Sequence, residues 1–231
     1  MSIRFTWLGH STYLLDIDGH SVLIDPFLTS NPLAAADPAQ LYPEIILLSH
    51  AHGDHVEDAL SIAQRTGARI VCNVEMSGYY QRQGLENVVG QNTGGTTDHG
   101  FMTVKLTAAF HSSTFPDGSN GGQPNGLVIT STASGLKAYF AGDTALFGDM
   151  ALIGNAGIDL ALLPIGDHFT MGIDDSIAAV KLLRPRYVTP MHYNTFPAIQ
   201  QNAGEWANRV SSETEAQPIV LDPGGAFTVT G

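Results

Sequence analysis

The sequence has 231 residues, which fits one sizeable domain, and we expect residues 1–231 to form a single one. Its 10 basic and 22 acidic residues give a net charge of −12, which argues against a nucleic-acid partner because such proteins need a basic surface. A single cysteine, Cys72, excludes an internal disulfide framework. No apolar run approaches the ~20 residues of a membrane span. Because the N-terminus also lacks a signal-peptide pattern, we expect a cytoplasmic protein.

Three strands are predicted at the start of the chain, at residues 3–8, 12–17 and 21–24. The dipeptide Asp18-Gly19 between the last two is typical of a type I′ hairpin turn. A long loop with proline, asparagine and alanine follows at residues 27–43. We expect this loop to border a site or a subunit contact, which leaves a homo-oligomer open.

A dense group of metal-binding residue types occupies residues 50–55, with the sequence His-Ala-His-Gly-Asp-His. Before it, residues 44–49 form a continuous apolar run that suits a strand buried on both faces. After it, residues 56–63 have helical spacing, and Gly67 can end that helix. The group therefore lies where a buried strand leads into a helix, which is the usual place for a site in an α/β sheet.

Four side chains of this group can bind metal: His50, His52, Asp54 and His55. A lone histidine in a loop is usually a polar surface residue, but three histidines and an aspartate in six residues favour a metal site. A tight turn can direct His50 and His52 to one ion and Asp54 and His55 to a second.

Further candidate ligands end later strands. His111 follows a strand pattern that begins at Thr103, Asp143 ends the strand 137–143 after a glycine, and His192 ends the strand 188–192. All three are expected on the same rim as the first group. The other predicted strands are 69–73, 126–132, 159–164, 218–221 and 226–229, and helices are predicted at 75–83 and 174–183. Interleaved strands and helices favour sheet layers covered by helices on their outer faces.

The order of these motifs resembles the metallo-β-lactamase-fold hydrolases: His-x-His-x-Asp-His, then a lone His, then Gly-Asp-Thr, then a late His. Residues 7–12, 163–166 and 190–197 are similar to the UPF0173 group of metal-dependent hydrolases, which itself resembles ascorbate-6-phosphate lactonase and the phospholipase D that cleaves N-acyl phosphatidylethanolamine. The resemblance covers nearly the whole chain. It implies an α/β (α+β) fold, the αββα sandwich, with metals at one edge. The group usually reads Gly-Gly-x-Phe-Thr-Met where this chain has Gly-Asp-His-Phe-Thr-Met at 166–171, and we expect the histidine at 168 to affect the choice of substrate.

The resemblance implies two divalent transition-metal ions that share a bridging hydroxide as nucleophile. The first ion would be held by His50, His52 and His111, the second by Asp54, His55 and His192, with Asp143 bridging both. Two such ions, two aspartates and one hydroxide leave a charge of about +1, which favours an anionic substrate. The nitrogen and oxygen ligands suit zinc first, and also manganese, iron or nickel.

Supporting roles follow for four residues. Asp25, which could be a simple turn residue, is expected to orient a metal-bound histidine. His10 and His168 are expected at the site as proton donors, although either could be a rim histidine, and Asp54 is expected to act in catalysis as well as in metal binding.

The predicted function is hydrolysis of a small anionic ester, either a phosphodiester or a lactone. The alternatives are an iron-dependent oxidoreductase of the persulfide dioxygenase type on the same fold and a non-catalytic metal-binding protein.

Overall fold

Two seven-stranded sheets pack face to face in the computed structural model, which describes residues 1–231. The first sheet comprises β1 (Ser2–Trp7), β2 (Tyr13–Ile17), β3 (His20–Ile24), β4 (Ile45–Leu47), β5 (Arg69–Asn73), β6 (Val88–Gln91) and β14 (Ala226–Thr230). Its order is β14-β1-β2-β3-β4-β5-β6, antiparallel as far as β3 and parallel from β3 to β6. The parallel strands end together at one edge, where loops can converge.

The second sheet comprises β7 (Thr96–Asp98), β8 (Met102–Ala108), β9 (Asn125–Ser131), β10 (Lys137–Phe140), β11 (Leu160–Pro164), β12 (Tyr187–Met191) and β13 (Gln217–Pro218). Its order is β13-β12-β11-β10-β9-β8-β7, with parallel pairing from β10 to β13. All five residues of β11 are buried, as expected for a central parallel strand covered on both faces.

Helices cover the outer faces of both sheets. Helices α1 (Gly53–Val56), α2 (Ala59–Thr66) and α3 (Val74–Arg82) belong to the first sheet, where α3 packs on β5 and β6. Helices α4 (Met150–Gly154), α5 (Ile173–Leu183) and α6 (Ala203–Glu213) belong to the second, where α5 packs on β11 and against α4 and α6. This arrangement confirms the predicted αββα sandwich. None of these helices combines the length and the apolar character needed to cross a membrane.

The hydrophobic core has two parts. A cluster of 41 buried residues fills the space between the sheets and continues to α5 and α6, and a cluster of 16 lies between the first sheet and helices α2 and α3. Cys72 belongs to the second cluster, where it is fully buried as a small apolar residue. Strand β1 shows the underlying pattern, because Ile3, Phe5 and Trp7 point into the core while the residues between them do not.

Local signals in the sequence give some boundaries correctly. Asp18 and Gly19 both have positive φ, 53° and 94°, and close the two-residue turn between β2 and β3, which confirms the type I′ hairpin. Gly67, with φ 75°, ends α2 as predicted. The single helix predicted at 56–63 is divided into α1 and α2, and the cap of α5 is Gly172 rather than the Asp174–Ser176 stretch.

Candidate metal site

The 50–55 motif follows β4 and runs into α1, as its sequence context predicts. His52 is the residue before α1, and its Nδ1 lies 3.1 Å from His50 Nε2 and 3.3 Å from His111 Nε2. One ligand atom from each of these three histidines lies within 4.8 Å of the others. Three neutral imidazole nitrogens facing one point form a site suited to a transition-metal ion.

A second group lies beside the first and contains one residue more than expected. It brings together His10, Asp54, His55 and His192, again with ligand atoms within 4.8 Å of one another. Asp54 Oδ2 lies 3.2 Å from His10 Nε2 and 3.8 Å from His192 Nε2. Three of these residues are the ligands predicted for a second ion, and His10 is the fourth member of the group.

Asp143 lies between the two groups. Its Oδ2 is 2.9 Å from His192 Nε2 and 3.3 Å from His55 Nε2 on one side, and 3.6 Å from His111 Nε2 and 3.9 Å from His50 Nε2 on the other. One carboxylate thus reaches imidazoles of both groups. This is the position that a bridging ligand requires.

Two buried atoms show that the cluster suits a metal. His55 Nε2 and Asp143 Oδ1 are shielded from solvent and make no hydrogen bond, because the approach of His55 Nε2 to Asp143 Oδ2 at 3.3 Å lacks hydrogen-bond geometry. A buried polar atom without a partner is costly, and most buried polar atoms in proteins are satisfied. A divalent ion would provide the partner that both atoms lack.

The charge state of the carboxylates agrees with this fit. Burial works to raise the pKa of Asp143, but the neighbouring His192 and His55 hold that pKa well below its ordinary value. Burial also opposes ionisation of Asp54, yet the hydrogen bond from His10 and the charge of His55 lower its pKa. Both aspartates are therefore ionised, as metal ligands must be.

The imidazoles fall into two kinds. Burial and the neighbouring His55 lower the pKa of His50 well below its ordinary value, so its ring is neutral and can donate a lone pair. Burial lowers the pKa of His55 as well, but Asp143 and Asp25 outweigh it and raise that pKa well above its ordinary value. Asp143 and Asp25 therefore stabilise a positive charge at His55. A metal ion bound there would supply that charge in place of the proton.

Asp25 and Ser49 form a layer behind the histidines. Asp25 is fully buried and accepts hydrogen bonds from Ser49 N at 2.8 Å, Ser49 Oγ at 2.5 Å and His55 Nδ1 at 2.8 Å. Ser49 Oγ also lies 2.9 Å from His50 Nδ1, and because its proton goes to Asp25, it accepts from that nitrogen. Both histidines thus carry their proton on Nδ1 and present Nε2 to the metal site. Sequence analysis missed Ser49, although its place between a buried strand and the motif is a usable signal.

The backbone at the site is strained at three non-glycine residues. His10, Asp25 and His192 have φ of 55°, 42° and 53°, in the left-handed region that side chains disfavour by roughly 1–3 kcal/mol each. The carbonyl of His10 accepts from the Trp7 indole at 2.9 Å and from His192 N at 3.1 Å. These bonds join the end of β1 to the end of β12 and help to hold the strained residues.

Close approach requires glycine at two places next to ligands. A Cβ on Gly142, which has φ 63°, would lie 2.8 Å from Asn125 O, and a Cβ on Gly166 would lie 2.2 Å from His192 O. Both contacts are too short for a real Cβ. Gly142 precedes Asp143 directly, and Gly166 lets the end of β11 pass against His192.

A cleft of about 360 Å³ opens above the cluster, lined by His52, Asp54, His111, Ser112, Asp143, Phe169 and His192. His168 is exposed and does not line this cleft, while its neighbour Phe169 does. Of the residues between His111 and β9, only Ser112 lines the cleft, and Phe115 in the same segment stacks on Tyr79 with ring centroids 3.7 Å apart. Sequence analysis did not identify Ser112 or Phe169 individually.

The family model described as a beta-lactamase superfamily domain matches residues 20–193 of this chain, which is the class that the two-sheet sandwich and its histidine and aspartate cluster at one edge indicate. The solved structure of Igni18, a metallo hydrolase from Ignicoccus hospitalis, superposes with a TM-score of 0.91 at 36% identity and 100% coverage of both chains.

Two curated relatives narrow the family. The chain is 48% identical to a UPF0173 metal-dependent hydrolase of Deinococcus radiodurans over 226 residues, which is 96% of this chain and 97% of the relative. It is 45% identical to a UPF0173 metal-dependent hydrolase of Thermus thermophilus over 222 residues, again 96% of this chain and 97% of the relative. The chain belongs to the UPF0173 metal-dependent hydrolases, and the resemblance noted in its motifs is confirmed.

Proposed function

We propose that this metal-dependent hydrolase is binuclear and acts on a small anionic ester, either a phosphodiester or a lactone. The position of Asp143 carries the proposal, because its Oδ2 lies within 3.9 Å of imidazoles from both ligand groups. His50, His52 and His111 would hold the first ion, and Asp54, His55 and His192 the second. When bound, such a pair supplies a water of lowered pKa and stabilises developing negative charge.

The residues around the pair decide what can bind. Two divalent ions bring a charge of +4 and Asp54 and Asp143 bring −2, so the centre has a net charge of about +2 before water or substrate binds. An anionic group is attracted to this centre even though the chain as a whole has a net charge of −12. Ser112 offers a hydroxyl and Phe169 an apolar face at the lip of the cleft. The cleft of about 360 Å³ suits a small substrate.

His168 stays a prediction as proton donor. Its side chain is exposed and its ring centroid lies 4.4 Å from that of Phe169, which itself lines the cleft. We expect zinc rather than manganese, iron or nickel as the bound ion. A cytoplasmic location also stays a prediction.

The test combines metal analysis with a substrate panel. We expect protein purified without chelator to hold about two transition-metal ions per chain. It should hydrolyse members of a panel of phosphodiesters, lactones and thioesters, lose that turnover on chelation and regain it with added zinc or manganese. Asp143→Asn should weaken binding of both ions, whereas the control Asp149→Asn, at an exposed position just before α4, should bind and turn over normally.

Two results would contradict the proposal. A fully active preparation free of metal would exclude the mechanism. Iron as the bound metal, with thiol-dependent oxygen consumption and no hydrolysis, would show the oxidoreductase alternative instead.

A further inference from the structure

His10 belongs to the second group of candidate ligands and is buried from solvent. Its side chain is 0% exposed, and the rings of Phe27 and Phe196 each lie 5.6 Å from its own. It does not line the cleft, whereas Asp54 in front of it does. A substrate in the cleft therefore meets Asp54, and His10 is badly placed to pass it a proton directly.

Both ring nitrogens of His10 have partners. Nε2 lies 3.2 Å from Asp54 Oδ2, and Nδ1 lies 2.8 Å from Thr195 Oγ1. A carboxylate only accepts, so in the neutral ring Nε2 carries the proton and donates it to Asp54. Nδ1 must then accept from the Thr195 hydroxyl, whose other acceptor, Tyr193 O, is more distant at 3.4 Å. The Asp54 carboxylate thus selects the tautomer, and the hydroxyl of Thr195 complements it by donating to Nδ1.

We propose that His10 is a positioning residue: the hydrogen-bond chain Thr195–His10–Asp54 holds the Asp54 carboxylate in the orientation in which it binds the second ion. The inference rests on the proposed function, because it takes Asp54 as a ligand of that ion. His10 also fixes a second ligand of the same ion, since its carbonyl accepts from His192 N at 3.1 Å. His10 follows β1 in the first sheet, and Thr195 and His192 follow β12 in the second. One residue therefore sets the spacing of two ligands that come from different sheets.

Variants that keep or remove the hydrogen bond give the first test. His10→Leu removes the donor, Thr195→Val removes the hydroxyl that donates to Nδ1, and His10→Gln keeps an N–H for Asp54 but is neither a good ligand nor an acid. We expect the dissociation constant of the second ion, measured by competition with a chelator, to rise roughly 10- to 100-fold in His10→Leu and by less in Thr195→Val. The dissociation constant of the second ion should stay near the wild-type value in His10→Gln, and that of the first ion should not change in any of these variants. The control is Thr107→Val, because Thr107 is also a buried threonine and its hydroxyl bonds no residue of the two ligand groups.

Spectroscopy of the metal-loaded protein gives the second test and does not depend on any substrate. With ¹⁵N-labelled histidine and ¹¹³Cd bound, we expect His10 to show a proton on Nε2 and no coupling to cadmium, while His55 and His192 couple. Cadmium coupling at His10 would make it a ligand and overturn the proposal. So would a drop in turnover of roughly 10²–10⁴ in His10→Gln with metal content unchanged, because that is the signature of a proton donor. If no histidine couples to cadmium, the metal centre itself is wrong, which separates failure of the proposed function from failure of this inference.

Discussion

Asp25→Asn is a sharp test of how the site is built, because it changes one atom of a fully buried group. Asp25 accepts from three donors: Ser49 N, Ser49 Oγ and His55 Nδ1. An asparagine oxygen can still accept from the backbone amide, but its NH₂ group then faces two other donors. To restore hydrogen bonds, His55 must accept at Nδ1 and carry its proton on Nε2. That proton would block the nitrogen that faces the metal site.

The magnitude follows from the two histidines that depend on Asp25. Loss of a group that orients a metal-bound histidine typically costs 10- to 100-fold in metal affinity, which is about 1.4–2.7 kcal/mol. The second ion should suffer directly through His55. Binding of the first ion should also weaken. If the Ser49 hydroxyl accepts a hydrogen bond from the new NH₂ group, it can donate its own proton to His50 Nδ1. His50 would then carry its proton on Nε2, the nitrogen that faces the metal site. We therefore expect weaker binding of both ions, with the larger loss at the second.

The assay is a metal titration against a competing chelator, with thermal unfolding of the metal-free protein measured in parallel. Asp58→Asn is the matched control, because Asp58 is 4% exposed and accepts from Leu28 N, Thr29 N and Thr29 Oγ1 without touching an imidazole. The control should lose stability and keep its metal affinity. If Asp25→Asn binds both ions as tightly as wild type and is merely destabilised like the control, the tautomer argument is refuted.

Two further predictions concern the packing of Gly166 against His192 and the hairpin between β2 and β3. Gly166→Ala places a Cβ 2.2 Å from His192 O, so thermal unfolding should show a lower Tm and metal analysis should show loss of the second ion. The control Gly148→Ala, where a Cβ meets nothing within 4 Å, should show neither effect. At the hairpin, the hydrogen bond from Ser131 Oγ at 2.6 Å lowers the pKa of Asp18 below its ordinary value of 3.8. The stabilisation of the fold by ionised Asp18 is therefore present above pH 3.8 and is lost as the pH falls through the pKa of Asp18 in the folded protein. Urea unfolding should therefore show Asp18→Asn to be less stable than wild type at pH 7, with a difference that shrinks at low pH, and a constant difference would contradict the pKa argument.

The candidate ligands could be predicted from the sequence because each one follows a recognisable strand. The strands before His50, Asp143 and His192 are local patterns, and because parallel strands of one sheet end at the same edge, the last two could be placed together in the second sheet, while His50 follows a strand of the first. A chain-order signal of this kind says which side chains share an edge. It does not say which atoms face each other, so the approach of Asp143 to both histidine groups needed the structure.

The missed elements have physical causes. Strands β6 and β7 are short and partly exposed, so they lack the apolar pattern that marks a buried strand. Helix α6 has a polar surface and an early glycine, although Asn202 caps it by accepting from Glu205 N at 3.1 Å. That cap, with the buried pair Trp206 and Val210 one turn apart, was a signal available in the sequence.

The role of His10 could not be read from the sequence for a different reason. Its partner Thr195 lies 185 residues away, and neither the pairing nor the burial of the ring follows from local patterning. A histidine after a strand end looks the same in sequence whether it reaches the substrate, binds a metal or supports a ligand. What separates these roles is the pair of hydrogen bonds at Nε2 and Nδ1, together with the left-handed backbone that places His10 between the two sheets. The site therefore depends on the hydrogen-bonding groups next to the ligands as well as on the ligands themselves, because Asp25, Ser49 and His10 decide where each ligand's proton and lone pair point.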